Sequence, residues 1–176
     1  MIQGINKRYL EYFFVAMIVA VIVLMALNRY TLIAKDSAVL RLQIISQNFM
    51  IGAANARAEY YLRNVVGDDD GITLTSGFSL GEKKFYFSAQ GWPVSTRPLL
   101  ANNFPTHEDC HNLWQAVLQN PEPISSPFKQ VRGALIQVFA VKSICRYQLK
   151  TGDAWFEYSP ADGQLHFSSV SSGYFN

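Results

Sequence analysis

The sequence predicts an α+β protein in which one long N-terminal helix, apolar first and amphipathic later, packs on a small antiparallel sheet. Three observations support this fold class. Sixteen uncharged residues run without a break from Tyr12 to Leu27. Apolar residues then recur every three or four positions as far as Tyr60, which is typical of an amphipathic helix. The C-terminal third is rich in β-branched and aromatic residues divided by short turn sequences.

The composition limits both the class of protein and its partners. Of 176 residues, 49% are hydrophobic and 16% are charged, which is too apolar for a disordered chain. The length favours one folded unit with an appendage over two domains. Fifteen Lys and Arg against thirteen Asp and Glu leave a formal charge of +2. Because nucleic-acid binding requires concentrated positive charge, we expect no nucleic-acid partner.

Residues 9–28 predict a transmembrane helix in contact with the lipid bilayer. About 20 apolar residues rising ~1.5 Å each cross a bilayer core, and this stretch has that length if Glu11 is tolerated near its end. The alternative is a cleaved signal peptide, whose apolar region is usually about 7–15 residues long and is followed by small residues. Here Asn28, Arg29 and Tyr30 follow, as in an interfacial anchor, which favours a retained helix.

The flanking charges and lengths predict the orientation. Lys7 and Arg8 before the helix are nearly balanced by Arg29 and Lys35 after it, but only a short leader, residues 1–8, precedes the span. A cytoplasmic N-terminus and an exported body are therefore expected. In an oxidising compartment Cys110 and Cys145 would form a disulfide, whereas in the cytosol they would remain buried thiols.

The helix is predicted to continue through residues 29–66. Between residues 32 and 63 there is no Pro and one Gly. The apolar stripe consists of Val39, Leu42, Ile45, Phe49, Ala53, Ala56 and Tyr60. Gly67 is expected to cap the helix. The following Asp68, Asp69 and Asp70 are interpreted as a solvated turn, with calcium binding as the alternative.

Residues 67–176 predict an α+β body. A short helix over 107–118 should begin at a capping box formed by Thr106 and Asp109, and residues 91–98 should form a loop. The short connections near the C-terminus predict a β-meander. The predicted strands are residues 72–74, 84–89, 134–141, 144–149, 154–158 and 164–169.

The segment from His107 to His111 matches the H-E-x-x-H pattern of zinc hydrolases. The two histidines, one helical turn apart, could share a metal, and Glu108 could activate its water. Against this, the helix starts at Thr106, Cys110 is better used in a disulfide, and no third ligand is evident. We therefore interpret the segment as the first turn of a capped helix and keep a zinc hydrolase as an alternative.

Glu11 is an ionisable side chain within the apolar stretch, so it requires a partner or access to the membrane surface. Lys7 and Arg8 stand four and three residues before it on the same face of the helix and would serve as local partners. A cation on another subunit's helix is the equally weighted alternative.

The layout resembles that of type IV pilins and pseudopilins, in which a basic leader precedes a Glu near the start of an apolar helix. Residues 110–121 (CHNLWQAVLQNP) and 155–163 (WFEYSPADG) resemble the C-terminal regions of mannose-sensitive haemagglutinin (MSHA) pilins and their accessory proteins. A processed pilin has Gly before the cleavage point and Phe after it, with the Glu fifth. Counted back from Glu11, those places hold Asn6 and Lys7, so the leader is expected to stay uncleaved.

The resemblance implies a non-enzymatic, single-pass protein of a Gram-negative inner membrane, with a periplasmic pilin-like body and no cofactor. Its implied partners are pilin-like subunits and the pilus assembly platform. The expected assembly contacts are Glu11, the small Ala16 and Ala20, and the stripe around Phe49 and Ala53. One rival is an anchored ligand-binding or sensor module with a pocket near Trp92 or Trp155; the other is the zinc hydrolase.

Overall fold

The structure is a computed structural model that describes residues 7–66, 78–80, 83–98 and 104–170. The chain divides into two compact units, Met1–Ala38 and Val39–Asn176. Four predicted features lie wholly or mostly outside the described residues: the leader at residues 1–8, the strand at 72–74, the helix cap at Gly67 and the turn at Asp68–Asp70. For the rest, the predicted α+β class with a long N-terminal helix is confirmed.

Two helices form where the sequence predicts them. Helix α1 runs from Lys7 to Val66 without interruption, because no Pro removes a backbone donor and its apolar residues keep helical spacing. Helix α2 runs from His107 to Val117. Its predicted capping box is confirmed, since the Thr106 hydroxyl accepts from the Asp109 backbone N–H and the Asp109 carboxylate accepts from that of Thr106.

The described strands form two sheets. A three-stranded antiparallel sheet has the order β1-β2-β3, and a five-stranded sheet has the order β4-β5-β6-β7-β8. The strands are β1 Phe78–Leu80, β2 Lys83–Phe87, β3 Pro93–Ser95, β4 Ile124–Ser125, β5 Ile136–Val141, β6 Ile144–Leu149, β7 Ala154–Tyr158 and β8 Leu165–Ser169. The predicted meander corresponds to β5 through β8, whose neighbours pair antiparallel.

Two parts of the β-structure correct the prediction. The five-stranded sheet is mixed rather than antiparallel, because β4 pairs in parallel with β5. The predicted loop over residues 91–98 contains strand β3, which pairs with β2 across a register shift between Tyr86 and Phe87. Both β3 and β4 are too short for an alternating pattern, so their pairing depends on neighbours distant in sequence.

The core of Val39–Asn176 centres on Phe49 of α1. Its ring lies 5.4 Å from that of Tyr147, 5.7 Å from that of Phe156 and 5.2 Å from that of Tyr158, measured between centroids. Trp114 of α2 continues the cluster, with its ring 5.0 Å from that of Tyr147. The expected packing of the amphipathic helix on the sheet is thereby confirmed, and burial of these rings is the main stabilising term.

The hydroxyl groups of two fully buried tyrosines, Tyr147 and Tyr158, form hydrogen bonds within the body. The Tyr147 hydroxyl donates to the Cys110 carbonyl oxygen at 2.8 Å, and the Tyr158 hydroxyl donates to the Pro93 carbonyl oxygen at 3.0 Å. Burial raises the pKa of Tyr147 and Tyr158 far above the usual value of 10.0, so both remain neutral donors. One bond ties the sheet to α2 and the other ties it to β3.

Gly52 permits the close approach of α1 to α2. A Cβ atom built on Gly52 would overlap the Val117 carbonyl oxygen at the C-terminal end of α2. This neighbour is backbone and cannot turn aside as a side chain could. The single glycine in the middle of α1 is therefore explained by packing, although glycine disfavours helix by about 1 kcal/mol relative to alanine.

We expect Gly52→Ala to lower the free energy of unfolding by about 1–3 kcal/mol, because overpacking outweighs the gain in helix propensity. Denaturant unfolding of the full chain in detergent measures this. Asn55→Ala, at an exposed position of the same helix, is the matched control and should change stability little. A Gly52→Ala variant as stable as the control would show that α2 is not held against α1 as described.

Candidate assembly surface of the long helix

The N-terminal part of α1 has the composition of a membrane span. Within the described residues, one helix is long and apolar enough to cross a membrane. Large apolar side chains from Tyr9 to Leu27 are exposed on all sides of the helix. A helix that is hydrophobic all round requires an apolar environment such as lipid or other helices.

The predicted contact residues of this part of α1 are exposed. Glu11 lies near the start of the helix, and Ala16 and Ala20 lie one turn apart further along it. Alanines at this spacing let a second helix backbone approach closely. These three residues remain candidates for contacts in the membrane.

Phe49 and Ala53 have a different role from the one expected. Both are 0% exposed, because the sheet and α2 of the same chain cover them. Their apolar stripe is the one that holds the body together, so no side-chain surface remains for another subunit. We therefore assign Phe49 and Ala53 to the core, which corrects their prediction as assembly contacts.

A second apolar stripe lies on the opposite side of α1. We call it the outward stripe, and its members are Leu40, Ile44, Ile51 and Leu62, which are 58–63% exposed. At ~100° per residue, Leu40 and Ile44 lie about 200° from the buried Leu42, and Ile51 lies about 200° from Phe49. The sequence analysis did not identify this stripe, because it followed only the apolar residues that lie on the side of Leu42 and Phe49. A second set of apolar residues with the same helical spacing, displaced by two positions along the chain, could have indicated it.

An ion pair lies beside the outward stripe. Arg41 donates through Nε to Glu122 Oε1 at 2.6 Å, linking α1 to the loop after α2. The Arg41 side chain is largely exposed, so the pair adds little free energy. The predominantly uncharged polar residues beside the stripe include Gln43, Gln47, Asn48 and Asn55.

The predicted disulfide between Cys110 and Cys145 is confirmed. It joins α2 to β6 across 35 residues, with the two Cα atoms 5.5 Å apart and both residues fully buried. Closing a loop of this length stabilises the folded chain by about 3–4 kcal/mol on the chain-entropy model. The bond fixes α2 beside the sheet that also receives Phe49.

Three residues of the H-E-x-x-H segment, His107, Glu108 and Cys110, have other contacts in the structure. Cys110 is in the disulfide, and Glu108 receives a hydrogen bond from Arg97 Nη1 at 3.0 Å. The His107 ring lies edge-on to Phe128, 5.6 Å between centroids. Within the described residues, no group of three or more His, Cys, Asp or Glu side chains could hold a metal ion.

Asp109 is the buried acid of the body, with 1% of its side chain exposed. Its carboxylate receives bonds from Arg97 Nε at 2.5 Å, the Thr106 N–H at 2.8 Å and the Thr106 hydroxyl at 2.7 Å. Burial alone would raise the pKa of Asp109, but Arg97 and Thr106 outweigh it, so the pKa lies below its usual value of 3.8. The arrangement fixes the start of α2.

The two tryptophans proposed to line a ligand pocket differ in setting. Trp92 is sandwiched: the Arg57 guanidinium carbon lies 4.3 Å from its ring centroid, and a Cβ on Gly163 would overlap the ring. Gly163 has a φ of +73°, a conformation that also favours glycine. Trp155 is partly exposed on the outer face of the sheet, 5.9 Å from the Arg146 guanidinium carbon. Trp92 thus packs within its own chain.

The described surface of α1 carries the types of side chain that pack against other helices. It offers exposed branched apolar side chains on the outward stripe and small residues in the apolar segment. No family model matches the sequence, and neither a curated protein nor a solved structure matches the chain.

We expect replacement of both disulfide cysteines by alanine to lower the free energy of unfolding by about 3–4 kcal/mol, because the unfolded chain regains the entropy of the open loop. Urea unfolding of wild type and of the double variant measures this. As a control for the bond itself, the mass of unfolded wild type should increase by two hydrogen atoms on reduction, and that of the double variant should stay constant.

We expect Asp109→Asn to lower the melting temperature at pH 7, since Arg97 loses its buried counter-ion. Because folding lowers the pKa of Asp109, its ionised form stabilises the fold above the unfolded pKa of about 3.9. That contribution is lost as the pH falls toward the lower folded value, so the variant should show a smaller acid-induced decrease. Melting curves between pH 7 and pH 3 measure both effects.

Glu108→Gln is the matched control for Asp109→Asn, because it removes another carboxylate that pairs with Arg97. The Glu108 side chain is 68% exposed, whereas that of Asp109 is buried. It should change the melting temperature little at any pH. Equal losses in the two variants would mean that the burial of Asp109 is not what makes its ion pair important.

Proposed function

We propose that this protein is a non-enzymatic accessory component of type IV pilus biogenesis, of the MSHA type, that acts by helix packing. In this proposal residues 9–28 span the inner membrane, the N-terminus is cytoplasmic and the pilin-like body is periplasmic. Its partners are pilin-like subunits or the assembly platform in the same membrane.

The observation that carries the proposal is the continuity of α1. One helix contains an apolar segment exposed on all sides and then a segment whose inward face forms the core of the body. Its outward stripe and its apolar segment both offer side chains suited to other helices. A protein that works by lateral helix contacts requires this combination.

Two further observations support the location and class. The Cys110–Cys145 disulfide favours an oxidising compartment for the body, as the periplasm provides. Within the zinc pattern, Cys110 is in a disulfide, Glu108 in an ion pair and His107 in a ring contact, which favours binding over metal-dependent hydrolysis. The pilin resemblance of Glu11 and the C-terminal segments then indicates the process.

The unprocessed leader argues for an accessory role rather than that of a bulk filament subunit. With Asn6 and Lys7 at the pilin cleavage position, no new N-terminal amine would arise to pair with Glu11. The charge would instead require a cation from its own leader or from a partner helix. A protein of this kind would remain in the membrane beside the subunits that it serves.

We expect Glu11→Gln to reduce the number of pili per cell severalfold, because a neutral amide gives up the ion pair with a partner helix. Counting pili by electron microscopy in a strain whose own copy is deleted measures this, with the amount of variant in the membrane fraction checked by immunoblot. Glu11→Asp retains the charge and is the matched control, expected to support more pili than Glu11→Gln. Normal piliation of the deletion strain would remove the proposed function.

A further inference from the structure

We infer that the face of α1 that carries Leu40, Ile44 and Ile51 of the outward stripe binds the same face of a second copy, forming a parallel, in-register two-stranded coiled coil outside the membrane. The inference uses the membrane anchoring of the proposed function and names a partner for the same helix. It concerns residues 40–61, where Leu40, Ile44 and Ile51 are exposed on the side of α1 away from the core, and where the Tyr61 hydroxyl at the far end donates to the Gln90 carbonyl oxygen at 3.0 Å.

The spacing along this face is that of a coiled-coil seam. Alternating steps of four and three residues lead through Leu40, Ile44, Gln47, Ile51, Ala54, Ala58 and Tyr61. These positions extend over three heptads, about 32 Å at ~1.5 Å per residue. That is the minimum length at which such a repeat indicates a coiled coil.

The residue types at these positions favour two parallel strands. In heptad notation Ile44 and Ile51 occupy position a and Leu40 occupies position d. β-Branched residues at a with Leu at d favour parallel dimers over trimers and tetramers. Ala54 and Ala58 are small and allow the two backbones to approach in the second half of the seam. In an in-register pair, Gln47 of one copy lies opposite Gln47 of the other, where the two side-chain amides can hydrogen-bond to each other.

The charges beside the seam are compatible with a second copy. No seam position carries a charge, so paired copies bring no like charges face to face. Arg41 occupies position e, and Asp36, five residues earlier on α1, occupies position g. In a parallel coiled coil, residues g and the following e of the two strands are neighbours, so Asp36 of one copy would lie beside Arg41 of the other, whose guanidinium also pairs with Glu122 of its own chain.

The surroundings of the seam leave room for this partner. Leu40, Ile44 and Ile51 are each close to 60% exposed, whereas Leu42 and Phe49 on the far side are fully buried by the body. Two copies joined along the seam would therefore carry their bodies on opposite outer sides. Anchoring in one membrane would give both helices the same direction and raise their effective concentration.

Disulfide trapping in native membranes tests the pairing. Cysteine is introduced singly at Ile44, Ile51 and, as a control, at the exposed Gln130 of the body; Cys110 and Cys145 are fully buried and bonded to each other. After mild oxidation, Ile44→Cys and Ile51→Cys should give at least five times more covalent dimer than Gln130→Cys. Equal yields at the three positions would overturn the inference.

Mixed membranes test the register. When Ile44→Cys and Ile51→Cys are produced together with different tags, in-register helices give same-site dimers and little mixed dimer, because the two positions are about 10 Å apart along the axis. Predominantly mixed dimers would indicate a staggered packing and would refute the in-register pair. Adducts of Ile44→Cys with a protein of another mass, in place of dimers, would equally refute a second copy as the occupant.

A seam variant separates this inference from the proposed function. Ile51→Lys, combined with Ile44→Cys, should reduce the trapped dimer at least fivefold, while Gln130→Lys should leave it unchanged. If wild-type dimers form but piliation does not depend on the protein, self-pairing stands and the pilus role fails. If no dimer forms while Glu11→Gln still lowers piliation, self-pairing fails and the pilus role stands.

Discussion

The contact of Phe49 with three aromatic rings of the sheet is the interaction on which the rest of the body depends. It fixes the rotation of α1 about its axis, because the rings of Tyr147, Phe156 and Tyr158 surround this one side chain. Helical geometry then decides which residues face outward on the part of α1 from Val39 onward, because residues about 200° from Phe49 lie on the opposite side of the helix. The outward stripe is thus a consequence of the core, since the core contact decides which of two apolar series remains exposed.

Helix α2 holds this arrangement from a second side through contacts of different physical kinds. The disulfide ties its first turn covalently to β6, the buried Asp109 fixes its start through Arg97 and Thr106, and Gly52 lets its last residue reach the backbone of α1. The Tyr147 hydroxyl, bonded to the Cys110 carbonyl oxygen, joins the aromatic core to the same turn. Because these restraints converge, a shift of α2 would disturb the aromatic core as well as the helix.

Local sequence signals predicted those elements that local physics specifies. The capping box at Thr106, the unbroken helix to Val66 and the strands β5 to β8 all follow from patterns within a few residues. Strands β3 and β4 were missed because two or three residues acquire strand character only from their partners. The contact assigned to Phe49 and Ala53 was wrong because periodicity identifies an apolar face without saying what covers it. Only the folded sheet distinguishes the covered stripe from the exposed one.

An exposed apolar stripe has a cost that a protein ordinarily avoids, since exposed contiguous apolar surface favours unwanted association. If the apolar segment spans a membrane, as proposed, anchoring changes that balance. A helix held at the membrane cannot present its stripe in arbitrary directions, so antiparallel partners and many chance encounters are removed, and the orientational entropy lost on pairing is smaller than for two free chains. Modest contacts from Leu40, Ile44 and Ile51 can then suffice for a specific parallel partner, although the same side chains on a freely diffusing helix would promote aggregation. In the proposed function the apolar segment would restrict the orientation of the helix in the membrane, and pairing through the outward stripe would benefit from that restriction.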